Sequence, residues 1–228
     1  MKKLIVLNHK MTLEYDEVYE YIETTNNIDT DNNLIICPSN IYLENFINQS
    51  NWGIGAQNVS EHTNGNLTGE ISTLQLKSLG VEYCLVGHYE RVKNFNETPK
   101  QINKKLIACL ESNIMPIVCF GETGIVEDAI KDLDEICANI NHIDFIIFAY
   151  EPLKLKEVPD IKEIENDINS IYDYLKEKYN VIPNIIYGGG VRKDNIKQIL
   201  GLEKVNGVII GKVSSNKDKI KKIIENNC

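Results

Sequence analysis

Three kinds of side chain stand where apolar runs of this 228-residue chain break off, and each could do chemistry. The stretch Phe145-Ile146-Ile147-Phe148-Ala149-Tyr150 ends abruptly on Glu151-Pro152. A carboxylate at the end of a strand buried on both faces is costly unless it is solvated, paired or put to use, so Glu151 is a candidate base. Two glycine clusters, Gly188-Gly189-Gly190 and Gly211 before Lys212, end other runs. Glycine lets a backbone approach a ligand closely and helix N-termini favour anions, so these glycines suit a phosphate, or equally a purely structural turn. Asn8-His9-Lys10 and Gly87-His88-Tyr89-Glu90-Arg91 add an ammonium, an imidazole and a second carboxylate. Singly, each has a bland reading. Glu151 is then a solvated strand end, His88 a hydrogen-bonded core histidine, Lys10 a surface lysine, and Glu90–Arg91 a surface ion pair worth little.

The elements that must position these residues are visible as a pattern. Short apolar runs at 4–7, 34–37, 54–56, 83–86, 116–120, 145–149, 185–187 and 208–210 read as buried strands. Helical stretches such as 16–24, 73–79, 100–112 and 161–178 lie between them, with Leu106, Cys109 and Leu110 at the spacing of one buried face. Thr98-Pro99 is an N-cap followed by a proline at the first helical position. Eight strands mostly followed by helices predict a parallel sheet with right-handed crossovers. The expectation is an α/β fold, one (β/α)8 barrel over residues 1–228, with a doubly wound open sheet as the alternative. Seven runs end in polar or glycine residues: Asn8-His9-Lys10, Gln57-Asn58, Gly87 to Arg91, Gly121-Glu122, Glu151, Gly188 to Gly190, and Gly211-Lys212. A barrel collects such endings on one rim, where barrel enzymes build their sites.

Composition narrows the partners. A net charge of −9 with no basic stripe argues against nucleic acid and anionic membranes. No apolar run approaches the roughly 20 residues of a membrane span, and Leu4-Ile5-Val6-Leu7 is too short for a signal-peptide core. The six cysteines (37, 84, 109, 119, 137 and 228) lack metal-ligand spacing, so free thiols in a cytoplasmic protein are expected, with no metal site. His9, His62 and His142 have no partner pattern and receive no role.

At this point the motifs form a recognisable series. Asn8-His9-Lys10-Met11, Gly55-Ala56-Gln57-Asn58, Leu67-Thr68-Gly69-Glu70-Ile71-Ser72 and Gly87-His88-Tyr89-Glu90-Arg91 are followed by Pro116-Ile117-Val118-Cys119, Gly121-Glu122-Thr123, Ala149-Tyr150-Glu151-Pro152 and Tyr187-Gly188-Gly189. In types, order and spacing this series resembles the triosephosphate isomerase family, from Asn8 almost to the C-terminus. The resemblance implies a TIM barrel, no cofactor, and an isomerase of glycolysis and gluconeogenesis. Such an enzyme interconverts dihydroxyacetone phosphate and glyceraldehyde 3-phosphate through an enediolate. That chemistry needs a base, an electrophile for the carbonyl oxygen and a cation for the developing charge. By resemblance Glu151 is the base, neutral His88 the electrophile and Lys10 the cation, with Asn8 orienting Lys10 and the substrate. This enzyme is the standard worked case for pairing a glutamate base with a neutral histidine. Gly190, Gly211 and Lys212 fall at the phosphate. Glu90 is implied to be a buried carboxylate near Lys10 and His88, and Cys119 a packing residue beside the site. Residues 61–69 are implied to reach into a second subunit, placing Thr68 near the partner's Asn8 and Lys10. The homodimer interface would also hold Glu70 and Arg91.

Four departures from that family stand out. Tyr89 replaces a serine and Val92 an arginine, Gly190 replaces a serine that holds the closed lid, and Lys212 replaces a glycine. The lid at 153–159 is short and lacks the family's tryptophan and Gly-Thr-Gly-Lys tip. Leu155 is expected to shield Glu151, and Lys154 or Lys156 to reach the phosphate. A lid that closes imperfectly predicts slower turnover with more phosphate elimination. These departures keep two alternatives open: an isomerase of another small sugar phosphate, such as a tetrose phosphate, and a barrel that binds a phosphorylated ligand without catalysis.

Overall fold

A computed structural model describes residues 2–153 and 160–227. Eight parallel strands, β1 (Leu4–Asn8), β2 (Asn33–Cys37), β3 (Gly53–Ala56), β4 (Tyr83–Val86), β5 (Met115–Phe120), β6 (Ile147–Tyr150), β7 (Asn184–Tyr187) and β8 (Gly207–Ile210), close in chain order into a barrel. Closure is made by β1 against β8, in the register Leu4↔Gly207 to Leu7↔Ile210. The helices described are α1 (Tyr15–Asn26), α2 (Leu43–Gln49), α3 (Thr73–Leu79), α4 (Tyr89–Phe95), α5 (Pro99–Glu111), α6 (Val126–Ile136), α7 (Ile161–Tyr179), α8 (Ile196–Leu200) and α9 (Lys217–Asn227). The expected (β/α)8 barrel is therefore the fold.

The continuous apolar runs follow from burial on two sides. Along β1, Val6 points into the barrel with Ile35, Leu85, Ile117, Ile186 and Ile209. Its neighbours Ile5 and Leu7 face the outer layer and pack with helix residues such as Val18, Leu106 and Ile220. Side chains alternating across a strand give each run this double duty.

Local chemistry sets the helix ends. Thr98 and Gln101 form a capping box ahead of Pro99, and Ser72 and Gln75 form another before α3. Asp160 accepts the Lys162 N–H at 2.9 Å, which fixes the start of α7. Gly80 ends α3 in the left-handed region at φ 102°.

One strand boundary differs from expectation. Phe145 lies in a 3-10 turn (Ile143–Phe145) and is 54% exposed, so the sixth run pairs only from Ile147, opposite Ile117. Cys37, Cys84, Cys109, Cys119 and Cys137 are buried free thiols, while Cys228 lies outside the described residues. Among the described residues no helix is long and apolar enough to cross a membrane.

Candidate active site

The end of β1 supplies a cation on an unusual backbone. Asn8 is buried, and its Oδ1 accepts the Lys10 N–H at 3.1 Å while its carbonyl accepts the Ser214 hydroxyl at 2.6 Å. Lys10 adopts φ 55°, a left-handed conformation uncommon for a side chain of this size. Gln57, just past β3, holds that turn by donating its amide to the Lys10 carbonyl at 2.7 Å and the Cys37 carbonyl at 3.0 Å. A strained backbone kept in place by its surroundings is a common mark of a functional position. The Lys10 ammonium lies 2.5 Å from Glu90 Oε1.

His88 is the N-cap of α4, and its Nδ1 accepts the Glu90 backbone N–H at 3.3 Å. That bond assigns the ring proton to Nε2 in the neutral imidazole. Burial, and next the charge of Lys10, push its pKa down to about 4, with Glu90 pulling the other way. The ring is therefore neutral at pH 7 and offers a donor, as expected for the electrophile.

Glu151 follows β6 and is 6% exposed. Its Oε2 lies 3.5 Å from His88 Nε2, and it accepts a hydrogen bond from the Cys119 thiol of the neighbouring β5. Burial pushes its pKa up to about 8 against the opposing pull of Lys10 and the Cys119 bond, and Glu90 adds to the rise. A carboxylate this reluctant to stay charged is a strong base once ionised.

The remaining expected residues divide. Glu90 meets both Lys10 and His88, but its side chain is 35% exposed and so is half-buried, not buried as expected. It lies in the first turn of α4 at the open rim, where water still reaches it. Burial alone would raise its pKa, yet the hydrogen bond and charge of Lys10 prevail and lower it. Arg91 does not pair with Glu90; its Nε donates to Glu97 Oε2 at 2.7 Å, an oxygen that Lys105 also reaches at 2.8 Å. Gly211 meets Lys10 closely, since a Cβ there would stand 3.2 Å from Lys10 Cε. Gly190 is exposed at φ 59°, and Lys212, next to Gly211 just after β8, is exposed. Thr68 and Glu70 are exposed on the segment before α3. Lys154, Leu155 and Lys156, to which the lid roles were assigned, lie outside the described residues.

Two contacts were not foreseen in the sequence. Gly188 stands against Glu151, where only a missing side chain leaves room for the carboxylate. Gln57 was legible as a polar strand end, but its grip on Lys10 depends on strand order.

A closed parallel barrel whose rim gathers a desolvated carboxylate, a neutral imidazole donor and an ammonium defines a class, the (β/α)8-barrel enzymes of proton transfer beside a carbonyl. The family model for triosephosphate isomerase matches residues 3–227. A triosephosphate isomerase of Aquifex aeolicus is 33% identical over 244 aligned positions, covering 98% of this chain and 99% of that protein. Those of Francisella tularensis subsp. mediasiatica and Wigglesworthia glossinidia brevipalpis are 30% and 33% identical, covering 98% and 84% of this chain and 96% and 82% of theirs. The chain belongs to the triosephosphate isomerase family.

Proposed function

We propose that this barrel interconverts dihydroxyacetone phosphate and glyceraldehyde 3-phosphate, with Glu151, His88 and Lys10 as its catalytic groups. The observation that carries this reading is the placement of the Glu151 carboxylate 3.5 Å from His88 Nε2, with the Lys10–Glu90 pair beside them. Glu151 removes a proton from the carbon next to the carbonyl and returns it to the neighbouring carbon. The Nε2–H of His88 protonates the carbonyl oxygen as it gains charge and Nε2 recovers a proton from the hydroxyl on the adjacent carbon, while Lys10 stabilises the enediolate. Asn8 acts through the backbone of Lys10. Gly190, Gly211 and the exposed Lys212 hold the phosphate, the first two by close backbone approach and the third by charge.

The active assembly in this reading is a cytoplasmic homodimer. Its support is the exposure of Met11 (95%), Phe95 (65%) and Leu67 (45%), large apolar side chains in the segments expected to face a second copy. Leu67, Glu70, Arg91 and Phe95 also line one shallow cavity. Thr68 sits beside Leu67 on the loop that would reach the partner's site.

A coupled assay with glyceraldehyde 3-phosphate, dihydroxyacetone phosphate and a tetrose phosphate, run beside Glu151→Gln, tests the reading. Triose isomerisation lost by at least about a thousandfold in Glu151→Gln is expected. Unchanged activity in that variant removes the proposed base, and a preference for the tetrose substitutes the related isomerase.

A further inference from the structure

We propose that Tyr89 is a positioning residue of this site, holding His88 and Lys10 in register chiefly through its ring, with its hydroxyl a lesser restraint on Glu90. The inference rests on the roles proposed above for His88 and Lys10.

Tyr89 is the first residue of α4, directly after His88, so its side chain emerges at the rim beside the imidazole. The two ring centroids lie 4.8 Å apart with the planes tilted by 37°. The Lys10 ammonium stands 5.5 Å from the centre of the tyrosine ring, within reach of a cation–π attraction. The phenol Oη donates to Glu90 Oε1 at 3.2 Å, and the same oxygen takes the Lys10 ammonium. One side chain therefore touches all three groups, two on its own helix and one from the end of β1.

Each contact constrains a different freedom. The ring covers part of the imidazole, which limits water at His88 and supports the neutral form. It also walls in Lys10, whose long stem would otherwise sample many rotamers. The hydroxyl gives Glu90 Oε1 a second donor, which fixes the carboxylate and leaves Oε2 3.7 Å from His88 Nδ1. A serine, the family's residue here, has no ring with which to do the first two. Among the described residues, Lys10, Tyr89, Glu90 and Glu151 are the ionisable groups that act on His88 or lie against it, with Cys119 behind Glu151.

Tyr89→Phe and Tyr89→Ser in the full chain separate ring from hydroxyl. Three quantities are read: steady-state kinetics with glyceraldehyde 3-phosphate, the titration midpoint of His88 by nitrogen NMR, and thermal melting. For Tyr89→Ser, kcat is expected to fall by at least about tenfold with KM changed by less than about threefold. Its His88 midpoint is expected to rise by about one pH unit or more as water gains access. Tyr89→Phe keeps the ring and is expected to stay within about threefold in kcat, with the parent's midpoint. Because Tyr89 is half-exposed, both variants should melt near the parent. Should the serine variant fail to fold, Tyr89→Leu, which keeps bulk without a π face, takes its place. A serine or leucine variant with the parent's kcat and midpoint overturns the proposal, as does an equal loss in Tyr89→Phe. If the parent itself proves inactive on trioses, the proposed function fails, and the NMR midpoints still decide whether Tyr89 holds His88.

Discussion

Gly188 leaves Glu151 its place: a Cβ at Gly188 would stand 2.8 Å from Glu151 Cγ and 3.0 Å from its Oε1. It would also run into the Cγ2 methyl of Ile209 inside the barrel. The inward position of the carboxylate therefore depends on a missing side chain across the β6–β7 pair.

Gly188→Ala should push Glu151 off its contact with His88. The expected loss in kcat/KM is about 10- to 100-fold, because small misplacements of a reacting group are costly. Overpacking beside Ile209 should also destabilise the fold by about 1–3 kcal/mol. Kinetics and chemical denaturation read the two effects separately, and a fully active alanine variant would show that the carboxylate has room to spare.

The raised pKa of Glu151 gives activity and stability opposite pH responses. A base must be ionised, so kcat/KM should climb with pH through about 8 and level above it, while His88 stays neutral throughout. In the fold the proton is held up to about 8, whereas an unfolded glutamate releases it near the ordinary value of 4.5. Stability from this group is full below the lower value and lost as pH rises through the upper one. Glu151→Gln should thus match the parent's stability near pH 4 and exceed it near pH 8.5, by on the order of a few kcal/mol. Equal unfolding free energies at the higher pH would contradict the desolvation account.

His9 carries the reverse sign. It is 1% exposed, both ring nitrogens lack a hydrogen-bond partner among the described residues, and its ring meets Tyr21 edge-on at 4.5 Å and Phe46 at 5.6 Å. Burial pushes its pKa down to about 3. An unfolded histidine binds its proton near 6.5, so this stability is complete above that value and is lost as pH falls toward 3. His9→Phe should fit the aromatic cage and flatten the pH dependence between about 7 and 4. Urea unfolding of parent and variant across that range is the check, and parallel curves would remove His9 as the source.

Much of this was legible because burial on both faces of a strand demands consecutive apolar residues, and the eight runs coincide with β1 to β8. Phe145 misled because apolarity marks a run, whereas pairing with β5 decides where the strand begins. Asn8, Lys10, His88 and Glu151 could be found as polar strand ends. Their distances could not, since Lys10–Glu90 and His88–Glu151 join residues far apart in the chain. Gly188 shows the limit most plainly. Its cluster suggested phosphate binding, yet the structure sets its backbone against Glu151. The Cys119 thiol likewise meets Glu151 only because β5 and β6 pair with Cys119 opposite Ala149, which no local pattern records.

The seam between β1 and β8 has a consequence for the life of the chain on the ribosome. Gly211 walls the stem of Lys10 only after the last strand has docked on the first. Joining the two ends of a chain is slow compared with forming local helices. Every other catalytic segment is translated before that docking is possible, so the growing chain carries its base and imidazole without a finished cation site. With Lys10 in its proposed role, turnover is expected only once the ring has shut, which would make the onset of activity a clock for the docking of β8 on β1.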